Sequence, residues 1–403
     1  MTSIRNARIV LGVTGGIAAY KSVDLASKLV QTGAAVDVVL TEGALHFVGE
    51  ASFGAITKRA VHSGVFETWR DTWHGHITLG QEADIFVIAP ATADSLARLA
   101  TGRADDMLGA AVLASQCPLI VAPAMEHQMY HHPATQANLR TLAERGVHQV
   151  GPESGRLASG AIGDGRMAEP LMILGAIRQV LGADGPLRGR RIVVTAGGTR
   201  ERVDPIRFVG NRSSGLMGYA VTQALIDRGA SVVLVTGPVA LQPPYGAEVV
   251  RVESAREMQA AVRDSTGTAD AIIMAAAVSD YRPDRQSPAK IKKENFGDSL
   301  TINLVANPDI VAGVAKPGLI KVGFAAETEN LVENAKRKLE SKALDMIVAN
   351  DAEKTIGSET SEATLIYRNR LPESLEEMSK SELADVITER IVDLINGRSI
   401  GSS

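Results

Sequence analysis

Two stretches of this 403-residue chain share one design: an aliphatic run that ends in a glycine turn, RIVLGVTGG from Arg8 and RIVVTAGG from Arg191. A strand that feeds a glycine turn and then a helix is the opening of a βαβ unit, because bare glycine backbone lets the chain reverse sharply. The first half continues with a helical stretch near Ala18 to Gln31 and then the runs VDVVL, DIFVIAP and PLIVAPA. The second half repeats the rhythm with SVVLVTG, DAIIMAAAV, IKVGFAA and DMIVAND, and a last helix is expected over Lys380 to Asn396. Aliphatic runs alternating with helices predict parallel sheets in an α/β fold. Between the halves LGADGPLRGR breaks the periodicity, which places one domain over 1–181, a linker over 182–189 and a second domain over 190–403.

Composition narrows what such domains can bind. With 22% charged residues and a formal net charge of −4, the chain lacks the cationic surface that phosphate-backbone binding needs, so no nucleic-acid partner is expected. Cys117 is the single cysteine, which excludes an internal disulfide and any cysteine metal cluster and suits a reducing cytoplasm. MTSIRNARIVLGV enters a strand-like run at once without the pattern of a signal peptide, and no apolar stretch has bilayer-spanning length, so no membrane partner is expected.

The glycines at 12, 15 and 16 follow a strand and precede a helix, where free N–H groups can cradle a phosphate. A plain tight turn has the same signature. Thr41 and the PATAD run from Pro90 to Asp94 end further strands, and small hydroxyl residues at the carboxyl edge of an open sheet mark a ligand site. In the second half, Thr195 to Gly218 combines glycine turns, arginines and Ser-Ser-Gly before a helix, and PAKIKKE clusters Lys290, Lys292 and Lys293. A lysine cluster is most often a solvated face. His62, His74, His127, His131, His132 and His148 lack the arrangement of a convincing metal site and read as structural or exposed. Cys117, ahead of an apolar strand, reads as a small core residue.

With GHITL (75–79), PAMEHQM (123–129) and GDGRM (163–167), the first half resembles the flavin-containing cysteine decarboxylases. NPDI (307–310), VGFAAE and AND extend the likeness, so that the whole chain resembles the bifunctional phosphopantothenoylcysteine decarboxylase/phosphopantothenate–cysteine ligase family. The resemblance implies a flavodoxin-like flavin-binding domain followed by a Rossmann-like parallel-sheet ligase domain, assembled as a homo-oligomer through both domains. It implies FMN held at Thr14, Gly15, Gly16, Thr41, Ala91 and Thr92, with the site completed by a neighbouring subunit, and His76 as the catalytic histidine. For the ligase it implies 4′-phosphopantothenate, cysteine and CTP as substrates, with Mg²⁺. The CTP site would comprise Met274, Ala275, Ala276, Asp280, Lys290, Asn307, Pro308, Asp309, Ile310, Phe324, Lys338 and Lys342, with Asn211 at the acyl-cytidylate. Lys338 and Lys342, four apart, are expected on one helical face.

Two positions depart from the family pattern. Glu126 stands where asparagine is usual, to orient the substrate carboxylate, and Ser159 stands where a proton-donating cysteine is usual. A buried, protonated Glu126 would reconcile both, giving a hydrogen bond and the missing proton together. Other readings are a ligase with a non-catalytic, flavin-binding oligomerisation domain and a generic dinucleotide oxidoreductase, the last disfavoured because neither glycine turn has the full dinucleotide spacing.

Overall fold

A computed structural model describes residues 4–64, 75–295, 299–327, 329–351, 358–368 and 370–397. The chain divides into two compact units, Met1–Gly182 and Ala183–Ser403. Leu187, within the stretch expected to be a linker, is wholly buried in the apolar core of the second unit, and its N–H is bonded to the Arg228 carbonyl at 2.8 Å.

In the first unit the order is β1 (Arg8–Val13), α1 (Ala19–Gln31), β2 (Ala35–Leu40), α2 (Glu42–Leu45), α3 (Glu50–Thr57), β3 (Val61–His62), α4 (Gly75–Glu82), β4 (Ile85–Ala91), α5 (Ala93–Thr101) and α6 (Met107–Leu113). Then come β5 (Leu119–Pro123), α7 (His127–His131), α8 (Pro133–Glu144), β6 (His148–Gln149), β7 (Glu153–Arg156), β8 (Ile162–Arg166) and α9 (Pro170–Gly182). Among the described residues the strands form a parallel sheet in the order β3-β2-β1-β4-β5-β6, with β7 and β8 a separate antiparallel hairpin. The central strands are continuously apolar, as burial on both faces requires: β4 is buried along its whole length and β1 from Ile9 onward. Helix α1 turns Ala19, Ser22, Leu25, Ala26 and Leu29 inward at helical spacing. Each wholly buried leucine there is worth roughly 1.5–3 kcal/mol over an exposed one.

In the second unit the order is β9 (Arg191–Ala196), β10 (Arg200–Arg202), β11 (Phe208–Gly210), α10 (Leu216–Ile226), β12 (Ser231–Thr236), β13 (Glu248–Arg251), α11 (Ala255–Thr266), β14 (Ala271–Met274), β15 (Tyr281–Pro283) and β16 (Leu304–Ala306). It closes with β17 (Ile320–Glu327), α12 (Leu331–Ser341), β18 (Met346–Asp351), β19 (Thr360–Tyr367), β20 (Glu373–Ser379) and α13 (Lys380–Ile395). The main sheet runs β13-β12-β9-β14-β17-β18-β19-β20. Its first five pairings are parallel, and β19 and β20 add antiparallel. Helices α11 and α13 each begin with a full capping box, Ser254 with Glu257 and Ser379 with Glu382, worth about 1 kcal/mol apiece.

In both sheets the strand order reverses beside the strand that leads into the glycine turn, between β1 and β4 and between β9 and β14. The carboxyl ends of those strand pairs diverge into a crevice, the topological switch point at which open α/β sheets bind ligands.

Candidate active sites

In the first unit a cavity of about 1050 Å³ opens at the switch point. Gly15 and Gly16 wall it after β1, Thr41 and Gly43 after β2, Thr92 and Ser95 after β4, and Met125 and Glu126 after β5. The β7–β8 hairpin adds Arg156 to Ser159 from its tip and Gly165 and Arg166 from its base. Gly15 is required by packing: a Cβ there would lie 2.7 Å from the Gly43 carbonyl carbon, backbone against backbone. At Gly16 a Cβ would meet nothing nearer than Thr92 Cγ2 at 3.6 Å, so the space above that turn is open to a ligand.

Thr14 and Ala91 do not line this cavity. The buried Thr14 hydroxyl donates to the Pro90 carbonyl at 2.7 Å and accepts the Thr92 N–H at 3.2 Å, which locks the two ligand-facing turns together. Ala91 is buried in β4 beneath them. Thr92 caps α5 by accepting the Ser95 N–H at 3.2 Å, and its hydroxyl meets that of Ser95 at 2.9 Å.

One contributor went unrecognised in the sequence. Lys21, on the inward face of α1, is buried and donates from Nζ to the Met167 carbonyl at 3.0 Å and to Glu169 Oε1 at 2.9 Å. These bonds tie the end of the GDGRM segment to α1, the helix that follows the glycine turn, and the Lys21 hydrogen bond keeps the Glu169 carboxyl below the usual carboxylate range despite its partial burial. The available signal was a lysine at an apolar helical position.

His76 does not join the cavity. It lies in the first turn of α4, whose buried face is formed by Gly75, Leu79 and Gly80, and its Nδ1 is buried with no hydrogen-bond partner among the described residues. The neighbouring His74 lies outside the described residues. Glu126 and Ser159 do share the cavity. The expectation of a buried Glu126 is corrected, however. Its side chain is half-buried and serves as the N-cap of α7, with Oε2 accepting the Gln128 N–H at 2.6 Å. It sits there because the chain must turn out of β5 into a helix at that point, where a carboxylate caps the exposed N–H groups. Ser159 is exposed at the hairpin tip. Cys117 is half-buried rather than enclosed, within 3.1 Å of the Ser115 hydroxyl, and burial pushes its thiol up.

In the second unit a smaller cavity, about 320 Å³, is lined by Met274, Ala276, Asp280, Asn307, Pro308, Asp309, Ile310, Phe324, Lys338 and Lys342. The structure thus gathers residues from four separate segments that the family resemblance assigned to one nucleotide site. Ala275 lies between two lining residues but does not face the cavity. Lys342 follows the last turn of α12 and pairs with Asp309 at 3.0 Å. The Asn307 amide is committed to the protein: Nδ2 donates to the Ser279 carbonyl at 2.8 Å and Oδ1 accepts from Arg282 at 3.1 Å, so this side chain shapes the wall.

Asn211 and Lys290 also stand apart from that lining. Asn211 is exposed, with Nδ2 donating to the Val278 carbonyl at 2.9 Å, next to the cavity wall. Lys290 is exposed on a loop that is pinned by Asp204, a residue the sequence reading overlooked inside the Thr195 to Gly218 run. The Asp204 side chain has no solvent exposure, and it accepts the N–H groups of Ile206 and Arg207 at 2.8 Å and of Ile291 at 3.1 Å. Burial pushes this carboxyl up, but the three N–H groups and the Arg207 guanidinium together bring it below the usual carboxylate range. Arg207 returns the clasp by donating to the Ile291 carbonyl at 2.9 Å. The backbone on the C-terminal side of Lys290 is therefore held at both its N–H and its carbonyl.

Residues 1–182 match the family model described as Flavoprotein, and residues 187–395 match the DNA/pantothenate metabolism flavoprotein C-terminal domain. A coenzyme A biosynthesis bifunctional protein CoaBC from Vibrio vulnificus is 41% identical over 402 residues, covering 98% of this chain and 100% of its own. The chain belongs to the bifunctional coenzyme A biosynthesis family. The corresponding Escherichia coli K12 protein is 46% identical over 355 residues, 87% of each chain. A crystal structure of the C-terminal domain of a bifunctional protein of this family is 38% identical, covering 53% of this chain and 99% of that one, with a TM-score of 0.46. Both halves of the family are present in order. The first is a flavodoxin-like flavoprotein domain and the second the ligase-type domain, as the sequence led us to expect.

Proposed function

We propose that the second unit joins 4′-phosphopantothenate to cysteine at the expense of CTP, and that the first unit decarboxylates the product to 4′-phosphopantetheine. A carboxylate is a poor acyl donor, so the ligase must first convert it to a mixed anhydride. The substrate carboxylate attacks the α-phosphorus of CTP and pyrophosphate leaves. The cysteine amine then attacks the acyl carbon, loses a proton and expels CMP. Lys338 and Lys342 suit the triphosphate, and the Asp309–Lys342 pair means that an incoming phosphate exchanges one anion for another at Lys342. Asp280 and Asp309 offer hard oxygen donors for Mg²⁺ beside those phosphates. Lys290, on the loop that Asp204 secures, would offset charge as the anhydride forms, and Asn211 would meet the acyl-cytidylate.

In the first unit the open turn at Gly16, the hydroxyls of Thr41, Thr92 and Ser95 and the volume of the cavity fit FMN together with part of the substrate. When bound, FMN supplies a reversible two-electron acceptor, which lets carbon dioxide leave with no net oxidation. The position of His76 carries the structural part of this reading: this catalytic histidine is absent from the cavity of its own chain, as expected if a neighbouring subunit delivers it. Glu126 shares the cavity with Ser159, and because its Oε2 is taken by the helix cap, the closing proton in this reading would be carried by its other carboxyl oxygen. In this reading a homo-oligomer forms part of the active site.

Complementation tests this. Chains carrying His76→Asn and chains carrying Gly16→Val are each inactive alone, and mixed oligomers regain decarboxylase activity because some interfaces pair an intact histidine with an intact glycine turn. Mixing that restores nothing, with mixed oligomers verified by mass, would contradict a shared site.

A further inference from the structure

Helix α7 and strand β8 meet outside the flavin-type cavity at a cluster that neither reaction uses. His127 and His131 are one helical turn apart, with ring centroids 4.5 Å apart, and Asp164 approaches from β8. The approach depends on Gly163, where a Cβ would lie 2.6 Å from His127 Nδ1. One donor atom from each of the three residues can be chosen so that all lie within 4.8 Å of one another. Two histidines at i and i+4 with a carboxylate from a second element make a donor set of borderline softness, suited to zinc-type ions rather than to magnesium.

The surroundings prepare these atoms as ligands. His127 Nδ1 accepts the Asp164 N–H at 3.0 Å, so it carries the lone pair that a cation takes once the amide gives way. The Ser154 hydroxyl donates to Asp164 Oδ1 at 2.7 Å, which orients the carboxylate and leaves Oδ2 facing His131 Nε2 at 3.0 Å. Donors of a tetrahedral site with bonds near 2.05 Å sit roughly 3.4 Å apart. Closing the cluster on an ion therefore needs the His127 ring to release the Asp164 N–H and the side chains to rotate slightly, of which His131 is exposed.

We propose that His127, His131 and Asp164 bind one divalent cation of the zinc type, completed by water, which braces the β7–β8 hairpin against α7. The brace matters because both partners border the first cavity: Glu126 and Met129 lie on the α7 side, and Arg156, Ser159 and Gly165 on the hairpin side. This site is independent of the FMN and CTP assignments.

The test uses full-length, untagged protein stripped with a chelator, titrated with Co²⁺ in excess Mg²⁺ so that hard oxygen sites are filled. One saturable equivalent per chain is expected, with Co²⁺ d–d bands to the red of flavin absorption that Zn²⁺ abolishes. His131→Ala and Asp164→Asn should each weaken binding at least tenfold, while His148→Ala, exposed on β6 and outside the cluster, keeps it. Zn²⁺ should also slow tryptic cleavage at Arg156 in the wild type but not in His131→Ala. Absence of saturable binding, retention by both cluster variants, or equal loss in His148→Ala would overturn the site. Unchanged cleavage at Arg156 would overturn the bracing role.

Discussion

Gly15 and Gly16 are adjacent in sequence, yet alanine at each should fail differently. A Cβ at Gly15 would press on Gly43 backbone atoms at 2.7–2.9 Å, which cannot move without displacing the turn after β2. Overpacking of that kind costs about 1–3 kcal/mol, so Gly15→Ala should lower the melting temperature of the flavin-free protein. At Gly16 the nearest atom would be Thr92 Cγ2 at 3.6 Å, an ordinary contact, and stability should stay within about 0.5 kcal/mol of wild type. If the Gly16 turn meets the flavin phosphate, an added methyl there costs one hydrogen bond to a charged group, about 1.5–3 kcal/mol. FMN should then bind about 10- to 150-fold more weakly, measured by quenching of flavin fluorescence on titration of apoprotein. Normal FMN affinity in Gly16→Ala would refute the placement of phosphate at this turn, and a large loss of apoprotein stability would refute the packing argument.

Three further outcomes follow from the two sites. Lys290→Gln should slow pyrophosphate release at least about 100-fold if the lysine stabilises the transition state, whereas normal turnover would return it to the solvated surface. Asp204→Asn turns an acceptor for the Ile291 N–H into a group that can present a donor there, and should cut ligase kcat/KM at least tenfold, with no further loss in a Lys290→Gln background; additive losses would mean that Asp204 acts elsewhere. Because its folded carboxyl lies below the usual range, the hold it provides is intact above the ordinary carboxyl pKa and fades as pH falls through the acid range toward the folded value, a loss Asp204→Asn should not show. Glu126→Gln keeps the helix cap but has no proton to transfer, so carbon dioxide release should persist while the enethiol accumulates, and full 4′-phosphopantetheine formation would remove the proton-donor role.

The parallel strands were legible because burial on both faces leaves continuous aliphatic runs: RIVLGV and RIVVTA are β1 and β9 as read. Strands without that signature were missed. The ESGR and IGDGR strands of the β7–β8 hairpin are short, polar and mostly exposed or partly buried, and β19 alternates exposed and buried residues over its first half; β19 and the edge strand β20 run antiparallel, which departs from the expected all-parallel pattern. The lining of the second cavity was readable because NPDI and the lysines near the end of α12 reach it directly. The roles of Lys21, Asp204 and the His127–His131–Asp164 cluster were not, since each depends on contacts between segments far apart in sequence, up to 148 residues for Lys21 and Glu169. His76 was singled out by its motif, but its separation from the cavity was not readable, since it depends on where α4 packs relative to the ends of the strands.

The most direct measurement supplies the full-length protein with 4′-phosphopantothenate, cysteine, CTP and Mg²⁺ and follows the products by mass spectrometry. A bifunctional enzyme releases CMP, pyrophosphate and carbon dioxide and accumulates 4′-phosphopantetheine. Accumulation of 4′-phosphopantothenoylcysteine, undiminished with time in flavin-loaded protein, would contradict an active first unit and leave it an oligomerising scaffold for the ligase.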